Sequence, residues 1–282
     1  MAKKVRSLIV VSDTHAGCRM ALCPPTAIPL DGGGAYTASA FQKQLWALWR
    51  EFWDDWVPTV TQGEPYDLVH NGDAIEGVHH RSTTQISHNL EDQQRIAEAV
   101  LKPEVDRCKK MGGTYYHIRG TEAHVGQSGE FEERLARTLG AKPNAEGNYA
   151  RWDLWKQVGD KDGPLVNCLH HIGTTGSAAH EASAVNAELT ATFVEAARWR
   201  REPPDFVVRS HRHRMIAVDI ETGRGHGAAI VTPCWQGKTP FTWKIPGARV
   251  SEPQFGGILI RQGERSNYYD RKVWSIERSR TE

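Results

Sequence analysis

The sequence predicts an α/β fold, and three observations carry that prediction. Short β-rich runs alternate with helical stretches, polar residues gather immediately after the runs, and no repeat or low-complexity segment breaks the alternation. In such folds ligands sit beyond the carboxyl ends of the strands, so a site assembled from several loops is expected. A chain of 282 residues can bury a sizeable core in one domain, and one domain over residues 1–282 is the reading adopted.

Taken in order, SLIVVSD (residues 7–13) is a strand that feeds a Pro- and Gly-punctuated loop, CRMALCPPTAIPLDGGGAY, with no period of either kind. From Phe41 the spacing Phe41, Leu45, Leu48, Trp49, Phe52, Trp56 is helical, and Pro58 is expected to close the helix. Trp46 and Trp53 lie off that stripe and are expected to be buried. YDLVHNGD (66–73) is the next strand, residues 92–113 the next helix with a bend expected at Pro103, and GTYYHIRGTEAH a third strand ending in a loop. GEFEERLARTLG (129–140) reads as a short helix, followed by strands in RWDLWKQVG and LVNCLHHIG. An Ala-rich helix with Val185, Leu189, Phe193 and Ala197 on one stripe runs from Ser177 to Trp199, where Pro203 and Pro204 stop it. FVVRSHRH (206–213) is a strand, and HGAAIVTPCW, FGGILIRQ and NYYDRKVWSIE are strand-like, predicting an antiparallel C-terminal sheet joined to the first half.

Composition removes several classes of function. Lys and Arg number 35 against 34 Asp and Glu, so no global basic field holds the protein on nucleic acid, and any such contact must be local. No apolar run has membrane-spanning or signal-peptide length, from which a soluble cytoplasmic protein with no membrane partner is expected. Five cysteines without a CxxC pair suit neither a disulfide framework nor structural zinc, and reduced structural thiols are expected. Ten tryptophans are many, but Trp is a core filler before it is a stacking platform.

The chemistry lies at the strand ends. Asp13 and His15 stand two apart after a buried strand, where extended backbone sends both side chains the same way. Alone, such a pair reads as readily as a turn or cap aspartate. Asp73 ends a second strand in NGD, His211 and His213 end a third in SHRH, and His170 and His171 end a fourth in CLHHIG. Solvated surface His pairs and satisfied core His residues do not account for four strand ends so furnished. Mixed Asp and His donors suit two divalent transition-metal ions about 3.5–4 Å apart, Mn first with Fe, Zn or Ni as alternatives, better than Ca or Mg.

DTH at 13–15, GDAIEG at 72–77, GTEAH at 120–124, LHH at 169–171 and SHRH at 210–213, the last entered through Pro204 and Asp205, together resemble the calcineurin-like metallophosphoesterase superfamily. The resemblance matches that superfamily's motif order from residue 7 to about residue 240, and the general look is similar to bacteriophage-encoded members. It implies a four-layer αββα sandwich of two mixed sheets flanked by helices. It also implies Asp13, His15 and His213 on one metal, His170 and His211 on the other, and Asp73 bridging both. His170 is preferred to His171 as the residue directly after the strand. His124 would protonate the leaving oxygen or stabilise the charged transition state. The implied reaction is attack on phosphorus by a metal-bridging hydroxide.

Three departures from the pattern are plain. Thr121 stands where the family has a ligating Asn, so either Thr121 or Glu122 would complete the second site, and His124 lies two residues later than the family His. Ser210 replaces a Gly that need not bind anything. The GTTGS loop (173–177) would aim the start of the Ala-rich helix at phosphate, although Gly and Ser there are also ordinary caps. Arg119, Arg209, Arg212 and Arg214 cluster at motif edges without any one being singled out for substrate. The fuller GDxVDRG and GNHE patterns of protein phosphatases are absent, which leans the reading toward a phosphodiester in nucleic acid or a nucleotide. A phosphomonoesterase and a metal-binding scaffold without catalysis are the alternatives. The loop from Cys18 to Ala40 is expected to border the site.

Overall fold

The computed structural model describes residues 5–79, 81–126, 128–173, 178–245 and 249–275. β1 (Ser7–Val11) is followed by a long loop carrying a short hairpin of β2 (Ile28–Pro29) and β3 (Ala35–Tyr36), then α1 (Ala40–Glu51), a π-helical turn (Phe52–Trp56) and α2 (Val57–Thr61). β4 (Tyr66–Asn71), α3 (Leu90–Lys110), β5 (Tyr115–Ile118), α4 (Glu122–Val125) and α5 (Glu130–Thr138) come next. β6 (Ala150–Arg151), β7 (Asp153–Gln157), β8 (Leu165–Leu169), α6 (Glu181–Arg198), β9 (Phe206–Arg209), β10 (Ile216–Thr222), β11 (Gly225–Val231), β12 (Phe255–Gln262) and β13 (Asn267–Trp274) complete the described elements.

Two mixed sheets form, ordered β13-β12-β1-β4-β5-β6 and β10-β11-β9-β8-β7. Side-chain alternation along β1 shows how they stack, because successive residues face opposite sides of a sheet. Ile9 and Val11 join Leu45 and Trp49 of α1, Ile96 and Val100 of α3 and Leu135 of α5 in one core. Leu8 and Val10 face the other way and meet Val166, Phe206, Val208 and Ile230 of the second sheet. The far side of that sheet, Val207, Ala229 and Val231, is covered by Val185 and Leu189 of α6. Helix, sheet, sheet and helix make the four-layer αββα sandwich, with each fully buried aliphatic side chain contributing roughly 1.5–3 kcal/mol. β1, β4 and β5 run parallel in one sheet, and β8 and β9 run parallel in the other. Their carboxyl ends therefore meet along one edge of the sandwich.

Several expectations change against the structure. Pro58 does not end the first helix: the chain widens into the π turn at Phe52–Trp56, and Pro58 then sits in the first turn of α2, where a missing N–H costs no intrahelical bond. The C-terminal strands join the first half as expected, β12 pairing antiparallel with β1, but they are divided between the two sheets, and β11 pairs in parallel with β9. β10, not anticipated, closes the second sheet's edge. On α6 the buried position is Ala196 rather than Ala197. Residues 174–177, most of the GTTGS loop, and His80 lie outside the described residues.

The tryptophans near the first helix fill the core. Trp53 is fully buried and Trp46 packs partly buried beside it. Trp235 meets Trp49 edge-to-face at 4.8 Å, and its backbone N–H donates to Asp13 O at 3.0 Å, so aromatic packing reaches the first motif loop. All five cysteines are free and buried. Burial pushes the Cys23, Cys108 and Cys168 thiols up to about 12, which leaves them without thiolate character. Among the described residues no helix is long and apolar enough to cross a membrane.

Candidate metal centre

The strand ends bring the motif residues together by backbone bonds between neighbouring loops. Asp13 N donates to Gly72 O at 2.9 Å, His15 N to Asp73 O at 3.0 Å, and Ser210 N to His170 O at 2.9 Å. Asn71, the last residue of β4, ties the two sheets: its Nδ2 donates to Leu169 O at 2.9 Å and to Ser210 Oγ at 2.7 Å. Ser210 Oγ and Ser12 Oγ each lie 2.7 Å from Thr232 Oγ1, forming a buried hydroxyl chain. Ser210 is therefore a structural fastener, where the sequence reading gave that position no bonding role.

Among the described residues four groups of potential ligands occur, His15-Glu76-His124, His70-His117-Glu132 and the two triads that unite the motif residues, Asp13-His15-His213 and Asp73-His170-His211. In the first, His213 Nε2 is 3.2 Å from Asp13 Oδ1 and 3.2 Å from His15 Nε2. In the second, His170 Nε2 is 3.0 Å and His211 Nδ1 3.9 Å from Asp73 Oδ2. The same Asp73 Oδ2 is 3.9 Å from His15 Nε2, so it faces both groups. His171 is exposed, whereas His170 is buried in the cluster.

Backbone conformation marks the same residues. Asp13, His15, Asp73, His211 and His213 all have positive φ, between 41° and 72°. Each costs on the order of 1 kcal/mol or more for a residue with a Cβ, and such strain persists where the surroundings over-determine it. Gly72 and Gly120 let the loops close: a Cβ on Gly72 would lie 2.4 Å from His170 Nδ1, and one on Gly120 would lie 2.1 Å from Asp73 Oδ1.

Supporting groups orient the rings. His170 Nδ1–H donates to Asn71 O at 2.7 Å and His15 Nδ1–H to Glu76 Oε2 at 3.1 Å, which leaves both Nε2 atoms to the interior of the site. Glu76 Oε2 also accepts from Gln236 Nε2 at 2.8 Å. Glu132, fully buried on α5, accepts Ala74 N at 2.8 Å and Gly120 N at 2.6 Å, clamping the loops on either side of Asp73. Sequence reasoning missed Asn71, Glu76 and Glu132. Only Glu76 carried a signal, as an acidic residue three positions after Asp73 in the same loop.

Thr121 sits inside the second cluster. Its N–H donates to Asp73 Oδ1 at 2.6 Å, its hydroxyl donates to Asp73 Oδ2 at 3.0 Å, and Oγ1 is 3.3 Å from His211 Nδ1. Glu122 is exposed and belongs to neither triad. His124 packs edge-to-face on His15 at 4.5 Å between ring centres, and its Nδ1–H donates to Glu76 O. Arg209 is buried and paired with Glu188 at 2.8 Å, and Arg214 lies 3.3 Å from Glu181. Arg119 donates to Ala150 O. These three guanidinium groups are thus held by the protein's own acceptors.

The electrostatics are strongly coupled. Burial disfavours the charge on Asp13 and Asp73, but the His170 imidazole beside each holds both carboxyls well below the usual range. Burial likewise opposes a charged His15, yet the adjacent Asp13 and Glu76 carboxylates raise it to about 10, and for His170 the Asp73 and Asp13 carboxylates outweigh burial and raise it to about 9.

The donor set fits divalent cations. Ligand atoms about 2.1 Å from one ion sit about 3 Å apart, close to the separations of 3.0 and 3.2 Å observed here. Asp13 Oδ1 is buried and has no hydrogen bond of good geometry, which is costly for a carboxylate oxygen unless a cation completes it.

Fold and site together define an α/β sandwich with two adjoining Asp/His triads at the strand ends. No protein-family model and no curated protein matches the chain. Among solved structures it is similar to protein TM1076 of Thermotoga maritima, determined by solution NMR, at 10% identity and a TM-score of 0.39 over 96% of this chain and 100% of that one. It is also similar to Vacuolar Protein Sorting 29 from Cryptosporidium parvum, at 11% identity and a TM-score of 0.35 over 97% of this chain and 100% of the other. A third likeness is to the sulfate thiohydrolase SoxB of Thermus thermophilus in complex with glycerol, at 12% identity and a TM-score of 0.38 over 96% of this chain and 56% of that one.

Proposed function

We propose that the chain is a two-metal-dependent phosphoesterase of the calcineurin-like type, hydrolysing a phosphodiester of nucleic acid or a nucleotide. The observation that carries this reading is the position of Asp73 Oδ2, which faces His170 and His211 on one side and His15 on the other. Asp13, His15 and His213 would hold one divalent cation, His170 and His211 the other, and Asp73 both, with Thr121 Oγ1 a neutral donor near the second. Manganese is the first choice of metal. Bound there, such ions supply Lewis acidity toward phosphoryl oxygens and lower the pKa of water toward neutrality.

The chain's own residues do the positioning. Glu76 and Asn71 O fix the tautomers of His15 and His170, so each presents Nε2 to the site. The clamp of Glu132 holds the bridging carboxylate in register. His124, against His15, is the residue assigned to the leaving oxygen or to the phosphoryl charge.

The test is hydrolysis of bis-p-nitrophenyl phosphate with and without manganese, alongside Asp73→Asn. Manganese-dependent turnover that disappears in the variant supports the reading. Turnover of p-nitrophenyl phosphate alone would replace it with a phosphomonoesterase, and metal binding without turnover of either ester would replace it with a scaffold.

A further inference from the structure

An open groove of about 600 Å³ has Arg19, Met20, Thr84, Lys238, Trp243 and Lys244 among its lining residues. Its walls are bonded to the site. Arg19 is four residues beyond His15, and its N–H donates to Thr84 O at 2.8 Å. Gly237 N donates to Met20 O at 2.7 Å, and Ala21 bridges Gln236, whose side chain holds the same Glu76 carboxylate that orients His15. The groove and the candidate metal centre are thus linked through Ala21, Gln236 and Glu76.

Trp243 is 57% exposed, on a 3-10 turn formed by Thr242–Lys244. An exposed Trp alone means little. This one is fixed from behind: Lys238 Nζ lies 3.8 Å from the centre of the ring, and Lys238 is itself held by Arg249 O at 2.7 Å and by Glu252 at 3.7 Å. A cation on one face leaves the opposite face of the indole for a second planar partner. Arg19 and Lys244 are exposed, and among the described residues neither forms an ion pair with a carboxylate. A fixed aromatic face flanked by two unpaired cations matches the repeat of an unpaired nucleotide strand, base against ring and phosphate against charge. A duplex hides its base faces and offers no such stack.

We propose that this groove binds single-stranded nucleic acid, with one base stacked on Trp243 and neighbouring phosphates on Arg19 and Lys244. That the bound strand is delivered for hydrolysis rests on the phosphodiesterase reading; the binding does not. With a net charge of +1 the affinity comes from this local patch and is sensitive to salt.

The test is fluorescence anisotropy of a fluorescein-labelled single-stranded oligonucleotide with the full chain in EDTA, where no metal-dependent cleavage occurs. Trp243→Ala should weaken binding about tenfold, with recovery in Trp243→Phe. The double variant Arg19→Ala/Lys244→Ala should flatten the slope of log K against log salt by about 1.4, or about 0.7 per phosphate lost. Trp199→Ala, at a still more exposed indole just beyond the end of α6, should bind as the wild type does. Absence of binding by the wild type, or wild-type binding by both groove variants, overturns the proposal. Wild-type turnover of bis-p-nitrophenyl phosphate, measured in parallel, reports on the phosphodiesterase reading separately: binding without turnover sinks that reading alone, and turnover without binding sinks the groove alone.

Discussion

Replacing Glu132 by Gln separates the fold from the metal centre, and its effect can be worked out from two bonds. The carboxylate accepts the buried N–H of Ala74 at 2.8 Å on one oxygen and that of Gly120 at 2.6 Å on the other. A glutamine amide keeps one acceptor and turns an NH₂ group toward the remaining N–H. One buried donor is then unpaired, at roughly 1–3 kcal/mol, and the surviving bond loses its charge assistance, at about 1 kcal/mol. A loss of about 2–4 kcal/mol lowers Tm by about 3–7 °C for a chain of this size. Because the two N–H groups flank Asp73, manganese affinity measured by calorimetry should also fall, by about 10–100-fold. Glu133 is the control. It accepts Tyr149 N and Ala150 N at 3.0 and 2.8 Å, away from the site, so Glu133→Gln should cost stability and leave manganese affinity unchanged. Unaltered manganese affinity in Glu132→Gln, or an equal loss in Glu133→Gln, would refute the clamp.

Three further outcomes are expected. Gly120→Ala places a Cβ 2.1 Å from Asp73 Oδ1 and 2.2 Å from Asp73 N, so the Asp73 backbone and carboxylate must shift together by about 1 Å; manganese-dependent turnover should drop by about 100-fold while circular dichroism stays native, and full turnover would count against the proposed bridging role of Asp73. Glu76→Gln takes the charge from the partner of His15 Nδ1 and should reduce manganese affinity about tenfold, which metal titration checks. His70 is fully buried, and burial, with His117 adding to it, holds its pKa well below the ordinary value of 6.5. Its contribution to stability is therefore present above pH 6.5 and lost as pH falls toward the folded pKa, because the unfolded chain takes up the proton first. Denaturant titrations should show wild-type stability falling with acid by about 1.4 kcal/mol per pH unit more than that of His70→Gln between pH 5 and 6, and equal slopes would contradict this.

What could be read from the sequence divides along a physical line. Strands and helices were legible where burial is one-sided or complete over several residues, as in Leu8–Val11 or the stripe Val185 and Leu189, because hydrophobic burial acts on local pattern. Boundaries were lost where an unusual backbone state intervened, as at the π turn that absorbs Pro58. The chemistry-bearing residues were visible because they sit directly after strands, and the shared end of parallel strands then brings them together. Their supports were not visible. Glu132 reaches Ala74 across 58 positions, and Asn71 reaches Ser210 across 139, so no spacing in the chain advertises either bond. The positive φ at Asp13, His15, Asp73, His211 and His213 shows why those supports matter. Five strained residues would relax if only their own side chains held them. It is the neighbouring loops, fastened by Asn71, Glu132 and the hydroxyls of Ser12, Ser210 and Thr232, that keep the strand ends turned inward. The geometry of the candidate centre therefore rests on the polar bonds beneath the candidate ligands as much as on the candidate ligands themselves.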